Sequence, residues 1–283
     1  MKTEIWLDTT ALVDLEFRSD VLRQHILQGL PSDSERHATH YVLFEFARGV
    51  LRRYLRLHNK AAELDNLSEL VHYIKNCNVG SQRTASTMLG AYQDFLEYLQ
   101  KDDKALSPGQ QMEHFRAWLA PHIRRGWRRV KQYITHNPIG CRDDLPAPRT
   151  IPLPKTFPVR EQIAQDLPDR KCGQPDNCRL VATIQANSEA FRGMHAALTA
   201  LDQPDAETSA RTTALERFLN HIVTEPFDSK DCYRCGDAII ASEVPEGIRL
   251  LSKNIRHLQP LCGAVSRPLM HYREPAPGTR VQA

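Results

Sequence analysis

The chain has 283 residues, 41% of them hydrophobic, and a formal net charge of +3. That apolar content is enough for a packed core and excludes a low-complexity chain, while a mean hydropathy of −0.48 implies a polar surface. No apolar run approaches the ~20 residues that cross a bilayer, which excludes a membrane-spanning helix, and a charge of +3 does not by itself demand a nucleic-acid partner.

At roughly 100–200 residues per domain, the length allows one large domain or two. The opening Met1-Lys2-Thr3-Glu4-Ile5-Trp6 lacks a charged region followed by a long apolar segment, so no signal peptide is expected. Seven cysteines, an odd count without an export signal, favour reduced thiols and a cytoplasmic location.

In chain order, Glu4–Leu7 reads as a short buried strand with Asp8 at its C-terminal end. Thr9 or Thr10 is placed to cap a following helix, whose Leu12, Val13, Leu15, Phe17, Val21 and Leu22 form an apolar face. His37–Thr39 reads as a loop into a second helix, where Phe44, Ala47, Leu51 and Leu55 recur at helical spacing. Further helices are expected over 59–75 and 80–101, and residues 110–135 read as a basic helix or helix pair. Seven prolines from Pro138 to Pro168 disfavour regular elements of any length. Helices resume over 179–201, 208–223 and 235–243, then strand Ile248–Leu251 ends at Ser252. This order predicts an α/β fold with a small parallel sheet. Functional groups in such sheets collect outside the carboxyl ends of the strands, the position taken by Asp8 and Asn254.

Three carboxylates stand beside apolar runs: Asp8 after Ile5-Trp6-Leu7, Glu45 within Val42-Leu43-Phe44-Glu45-Phe46-Ala47, and Asp237 ahead of Ala238-Ile239-Ile240-Ala241. Each has a structural alternative. Asp8 could cap a helix, and Asp237 could sit in a first helical turn, where the dipole favours negative charge. Glu45 needs a cation if buried, because an unpaired carboxylate costs several kcal/mol. Arg48 or Arg52, at helical spacing, could supply it. Together with Asn254, the carboxylates also make an oxygen cluster suited to Mg²⁺ or Mn²⁺ and to phosphodiester hydrolysis.

These stretches resemble the PIN-domain family of metal-dependent nucleases, which includes the toxin ribonucleases of toxin–antitoxin pairs. Leu7-Asp8-Thr9-Thr10 is similar to the family's opening Asp-Thr-Asn/Ser, and Phe44-Glu45-Phe46-Ala47-Arg48-Gly49-Val50 to its acid-bearing helix. Gly236-Asp237-Ala238-Ile239-Ile240-Ala241 resembles its Asp-Ala helix start, and Leu250-Leu251-Ser252-Lys253-Asn254 its last strand and turn. Many members carry Asp where this chain has Asn254, and the gap from Glu45 to Asp237 is far longer than in compact members.

The resemblance implies a three-layer α/β sandwich enlarged by a mainly helical insertion. Its core would be built from residues 1–105 and 226–272, interrupted by a helical, Pro-rich insertion at 106–225 and followed by a loose tail at 273–283. It implies an endonuclease, with RNA favoured over DNA, in which Asp8, Glu45 and Asp237 hold Mg²⁺ or Mn²⁺ and a metal-activated water attacks phosphorus. Asn254 would support a second ion, and Thr10, Ser252 and Asp231 would orient the ligands. A toxin or defence role, an antitoxin or other regulatory protein, and a homodimer follow by the same analogy. The alternative is a catalytically weakened module that binds RNA or a protein partner, a reading that Asn254 keeps open. A phosphatase of the haloacid dehalogenase type would need a second acid where Thr10 stands.

Between Glu113 and Tyr133 six Lys/Arg face one acid. Arg124, Arg125, Arg128 and Arg129, with Arg48 and Arg52, are candidates for phosphate contacts, and Trp127 for stacking on a base. A solvated face with a buried Trp127 is the alternative, and Gly126 admits a turn between two helices. Cys172, Cys178, Cys232 and Cys235 include one Cys-x-x-Cys pair and could hold zinc, but the five-residue gap between the first two favours free, buried thiols.

Overall fold

The computed structural model describes residues 2–18, 20–77, 82–100, 106–134, 149–152, 161–164, 179–220 and 229–273. It is mostly helical around a small parallel sheet of four strands, an α/β arrangement. The strands are β1 (Glu4–Leu7), β2 (Glu35–Ala38), β5 (Arg249–Ser252) and β6 (Leu269–His271), in the spatial order β2-β1-β5-β6. Ile5 and Leu7 of β1 are fully buried and point to one face, following the two-residue period of a strand. Consecutive Leu250 and Leu251 of β5 are both buried, as expected of a strand covered on both faces.

Parallel neighbours need crossovers. Helices α1 (Thr9–Glu16) and α2 (Asp20–Gln28) carry the chain from β1 to β2. Helix α13 (Ile255–Ala264) carries it from β5 to β6, on the other side of β1. The crossovers diverge between β1 and β5, which makes the carboxyl ends of these two strands a topological switch point.

The sheet departs from expectation at both edges. His37–Thr39, expected as a loop, begins inside β2, which pairs in register with Glu4–Leu7. Its Glu35-Arg36-His37-Ala38 has no apolar alternation, because an edge strand buries little of either face. Strand β6 and helix α13 were not expected at all.

Between β2 and β5 the chain is mainly helical. Helix α3 (His40–Phe46) does not run straight into α4 (Arg52–Ala61); a π-helical turn, Ala47–Leu51, joins them. Helix α5 (Leu67–Cys77) starts later than expected, since Asn66 accepts from Glu69 N and opens a new helix after a turn. Helix α6 spans Gln82–Gln100, and α7 runs unbroken over Pro108–Ile134. Gly126 is therefore a packing residue within α7: a Cβ there would stand 3.1–3.2 Å from Phe46, Leu51 and Phe17. The Pro-rich stretch contains a short antiparallel pair, β3 (Arg149–Pro152) with β4 (Glu161–Ala164). Helices α8 (Arg179–Ala186), α9 (Ser188–Thr199), α10 (Ala206–Leu219), α11 (Ser229–Arg234) and α12 (Gly236–Glu243) complete the chain. One hydrophobic cluster joins Ile5 and Leu251 of the sheet to Phe115, Phe191 and Phe218 of the long middle segment.

Two buried acids brace this frame. Asp14 of α1 accepts from Lys253 Nζ and from the Tyr272 hydroxyl, each at 2.9 Å. Asp94 of α6 lies 3.0 Å from Arg18 Nε. Burial pushes the Asp94 carboxyl up to about 7 against the pull of Arg18, with Glu97 and Asp14 adding to the push. Its folded value exceeds the ordinary 3.8, so the stabilising contribution is complete below about 3.8 and is lost as pH rises through about 7. Moving from about pH 8 to pH 6 should therefore add about 1.4 kcal/mol, or roughly 3–6 °C in Tm. Asp94→Asn should flatten that part of the Tm–pH curve, and an unchanged slope would remove Asp94 as its cause.

Candidate metal centre

The site is built at the carboxyl ends of β1 and β5. Asp8 leaves β1, and its own side chain caps α1, accepting from Ala11 N at 2.7 Å. The expected cap at Thr9 or Thr10 is thus displaced by one or two positions. Thr10 Oγ1 lies 2.8 Å from both oxygens of Asp8, and Ser252 Oγ donates to Oδ2 at 2.5 Å. Thr9 points the other way and donates to Glu45 Oε2 at 2.5 Å, tying α1 to α3.

The turn after β5 spreads three donors over three acids. Ser252 serves Asp8, Lys253 serves Asp14, and Asn254 Nδ2 reaches Asp237 Oδ2 at 3.4 Å. Asn254 precedes α13 but leaves that helix without a side-chain cap. Asparagine is among the best N-cap residues, so its turn towards Asp237 forgoes a local stabilisation. Its backbone N–H donates to Ser252 Oγ at 2.8 Å, which closes a hydrogen-bonded path from Asp8 to Asp237.

Asp237 is positioned by α12, and α12 is keyed to α3 through Tyr41. The phenol end of Tyr41 abuts Gly236, where a Cβ would come within 2.7–3.0 Å of ring atoms and the hydroxyl. The Tyr41 hydroxyl donates to the Cys232 carbonyl at 3.1 Å, and Tyr41 N–H donates to Glu243 at the far end of α12, also at 3.1 Å. Glu45 follows Tyr41 by one turn. Tyr41 and Gly236 thus form a close contact between the helices that carry Glu45 and Asp237.

The charges of Asp8, Glu45 and Asp237 are felt by buried neighbours. Burial pushes the Asp8 carboxyl up to about 6, hydrogen bonds from Ser252, Ala11 and Thr10 pull it down, and the charge of Asp237 adds to the push. Burial raises the Tyr41 phenol, with the charges of Glu45 and Asp237 among the further causes. Burial pushes the Cys262 thiol up to about 12, and both Asp237 and Asp8 contribute.

Arg211 of α10 was not anticipated. Its Nη1 is hydrogen-bonded to Asp237 Oδ2 and its Nη2 to Glu207 at 2.7 Å. Nothing in Thr208-Ser209-Ala210-Arg211-Thr212 distinguishes it; Glu207, one turn earlier, suggests only a surface pair.

Other expected residues fall elsewhere. Asp231 is buried and held by Arg217 and Arg234 at 2.8 and 2.9 Å, in an ion-pair cluster rather than on Asp8 or Asp237. Arg124, Arg125 and Arg128 are exposed on α7, whereas Trp127 is only 9% exposed and packs in the core instead of standing ready to stack. Arg52 opens α4 and is half-buried. The side chains of Arg48 and Arg129 lie outside the described residues. So do Cys172 and Cys178. Cys232 and Cys235 are buried free thiols, and burial raises the Cys235 thiol.

Among the described residues, no three His, Cys, Asp or Glu side chains stand ready as a metal cage. Mg²⁺ rarely uses one; it takes one or two carboxylates and keeps several waters. Asp8 and Asp237 suit that demand. A carboxylate offers about four acceptor sites, and three donors reach Asp8. On Asp237 both donors converge on Oδ2, so Oδ1 takes no hydrogen bond among the described residues. The oxygens of Asp8 and Asp237 are donors of the kind a hard divalent cation takes, and Glu45 is engaged by the Thr9 hydroxyl. No helix among the described residues is long and apolar enough to cross a membrane. No family model matches the chain, and no curated protein or solved structure matches it.

Proposed function

We propose that this chain is a divalent-metal-dependent endonuclease with a PIN-like, three-layer core, acting on RNA. The observation that carries the reading is the hydrogen-bonded path Asp8–Ser252–Asn254–Asp237 at the switch point, with Glu45 joined through Thr9. It gathers oxygen ligands and mutually repelling charge where an α/β sheet presents its ligands. Asp8 and Asp237 would hold the ion, and Glu45 would join them or orient a water. A divalent ion such as Mg²⁺ or Mn²⁺ held there would supply Lewis acidity for phosphodiester hydrolysis. Ser252 and Thr10 fix the rotamer of Asp8, and Asn254 orients Asp237. The exposed Arg124, Arg125 and Arg128 offer a sequence-independent grip on the RNA backbone.

Purified, folded protein should cut single-stranded RNA with Mg²⁺ or Mn²⁺ and stop when EDTA is added. Absence of cleavage of both RNA and DNA by folded protein with either ion would count against the reading. A weakened, RNA-binding module is the second reading. It is favoured by Arg211 and Asn254, which both place donors where a ligand oxygen of Asp237 is needed.

A further inference from the structure

Arg211 brings a guanidinium onto Asp237, and it comes from α10, outside the stretches that carry the family resemblance. Its side chain is 11% exposed. Of the five N–H donors on a guanidinium, two have acceptors among the described residues, and Nε is buried without a partner. A guanidinium built solely to neutralise Asp237 would pair with both carboxylate oxygens, the stronger arrangement. Here it touches one oxygen, shares it with Asn254, and spends another donor on Glu207, which is 62% exposed.

A divalent ion on Asp237 changes this balance. It competes for the same carboxylate and repels the guanidinium across a few ångströms. The charge that satisfies both cations is the phosphodiester itself. We propose that Arg211 is a phosphate-binding residue of this site: it holds Asp237 when no divalent ion is bound and moves to a non-bridging phosphate oxygen when ion and RNA bind together. This rests on the metal-dependent reading above. It makes ion and RNA binding mutually reinforcing, and linkage requires the coupling to be equal in both directions.

The test is binding rather than turnover. Mn²⁺ affinity is measured by calorimetry without RNA, and affinity for a short single-stranded RNA is measured in Ca²⁺ with its integrity checked by gel. Arg211→Gln should tighten Mn²⁺ binding about tenfold, because its competitor is gone, and weaken Ca²⁺-dependent RNA binding about tenfold. Arg211→Lys keeps the charge that offsets Asp237. It guards against a folding failure, and should leave Mn²⁺ affinity near wild type while weakening RNA binding several-fold, since an ammonium lacks the planar fork. RNA affinity unchanged in both variants, with wild type binding Mn²⁺, overturns the role of Arg211 alone. Wild-type protein that is folded and binds no Mn²⁺ overturns the metal reading and this inference with it.

Discussion

Asp8→Asn should cut Mn²⁺-dependent RNA cleavage by about 10³-fold or more while leaving the protein folded. Metal Lewis acidity contributes several kcal/mol to a phosphodiester transition state, and each ~1.4 kcal/mol is a factor of ten. The fold should tolerate the change because asparagine caps a helix as well as aspartate, so the bond from Ala11 N survives. Ser252 can reverse its hydroxyl to accept from the new amide. The ionisation works in the same direction. The folded Asp8 value of about 6 lies above the ordinary 3.8, so its stabilising contribution is present below 3.8 and lost as pH rises through about 6. At neutral pH the buried, ionised Asp8 opposes folding by about 3 kcal/mol. In EDTA the variant should therefore melt at or above wild type. Saturating Mn²⁺ should raise the Tm of wild type only, because an ion stabilises the state that binds it. Cleavage by the variant within a few-fold of wild type would remove Asp8 from the chemistry, whatever its Tm.

Gly236→Ala should lower stability by about 1–3 kcal/mol and weaken Mn²⁺ binding, although position 236 touches no ligand atom. The new methyl would stand 2.7 Å from Tyr41 Cε1 and 2.8 Å from its hydroxyl. Tyr41 is fully buried and held by Cys232, so the ring has no room to retreat. The N-terminal turn of α12 must shift instead, and Asp237 shifts with it. The loss corresponds to roughly 2–4 °C per kcal/mol for a chain of this size. Tyr41→Ala alone leaves a cavity and should cost about 3–5 kcal/mol. Adding Gly236→Ala to that background should cost little, because the clash is gone. A double-mutant cycle with no coupling between the two positions would show that this contact does not set the approach of α12 to α3.

Both predictions show where the sequence was legible. Glu4–Leu7 and the strand ending at Ser252 stand out because short apolar runs bounded by polar residues have few alternatives. Asp8 and Asn254 follow directly from those strand ends, since a parallel sheet directs both to the same edge. Strand β2 was hidden because Glu35-Arg36-His37-Ala38 owes its conformation to backbone pairing with β1 rather than to its own pattern. The π-helical turn after Glu45 was hidden for a related reason. Ala47, Leu51 and Leu55 fit a regular helix, and the wider turn lies where Phe46 and Leu51 pack closely on Gly126 of α7, a contact that local spacing does not record.

Local chemistry along the chain thus determined the strand ends, the acid-bearing helices and the oxygen-rich character of the site. Only the tertiary structure decided which donor each acid receives. Ser252, Lys253 and Asn254 are adjacent in sequence, yet each serves a different acid, because the turn lies between α1 and α12. Arg211 reaches Asp237 because α10 packs against α9 and α11, and no periodicity records a contact made across that distance. Long-range pairing depends on how whole elements pack, and packing is a property of the assembled core that no single segment contains.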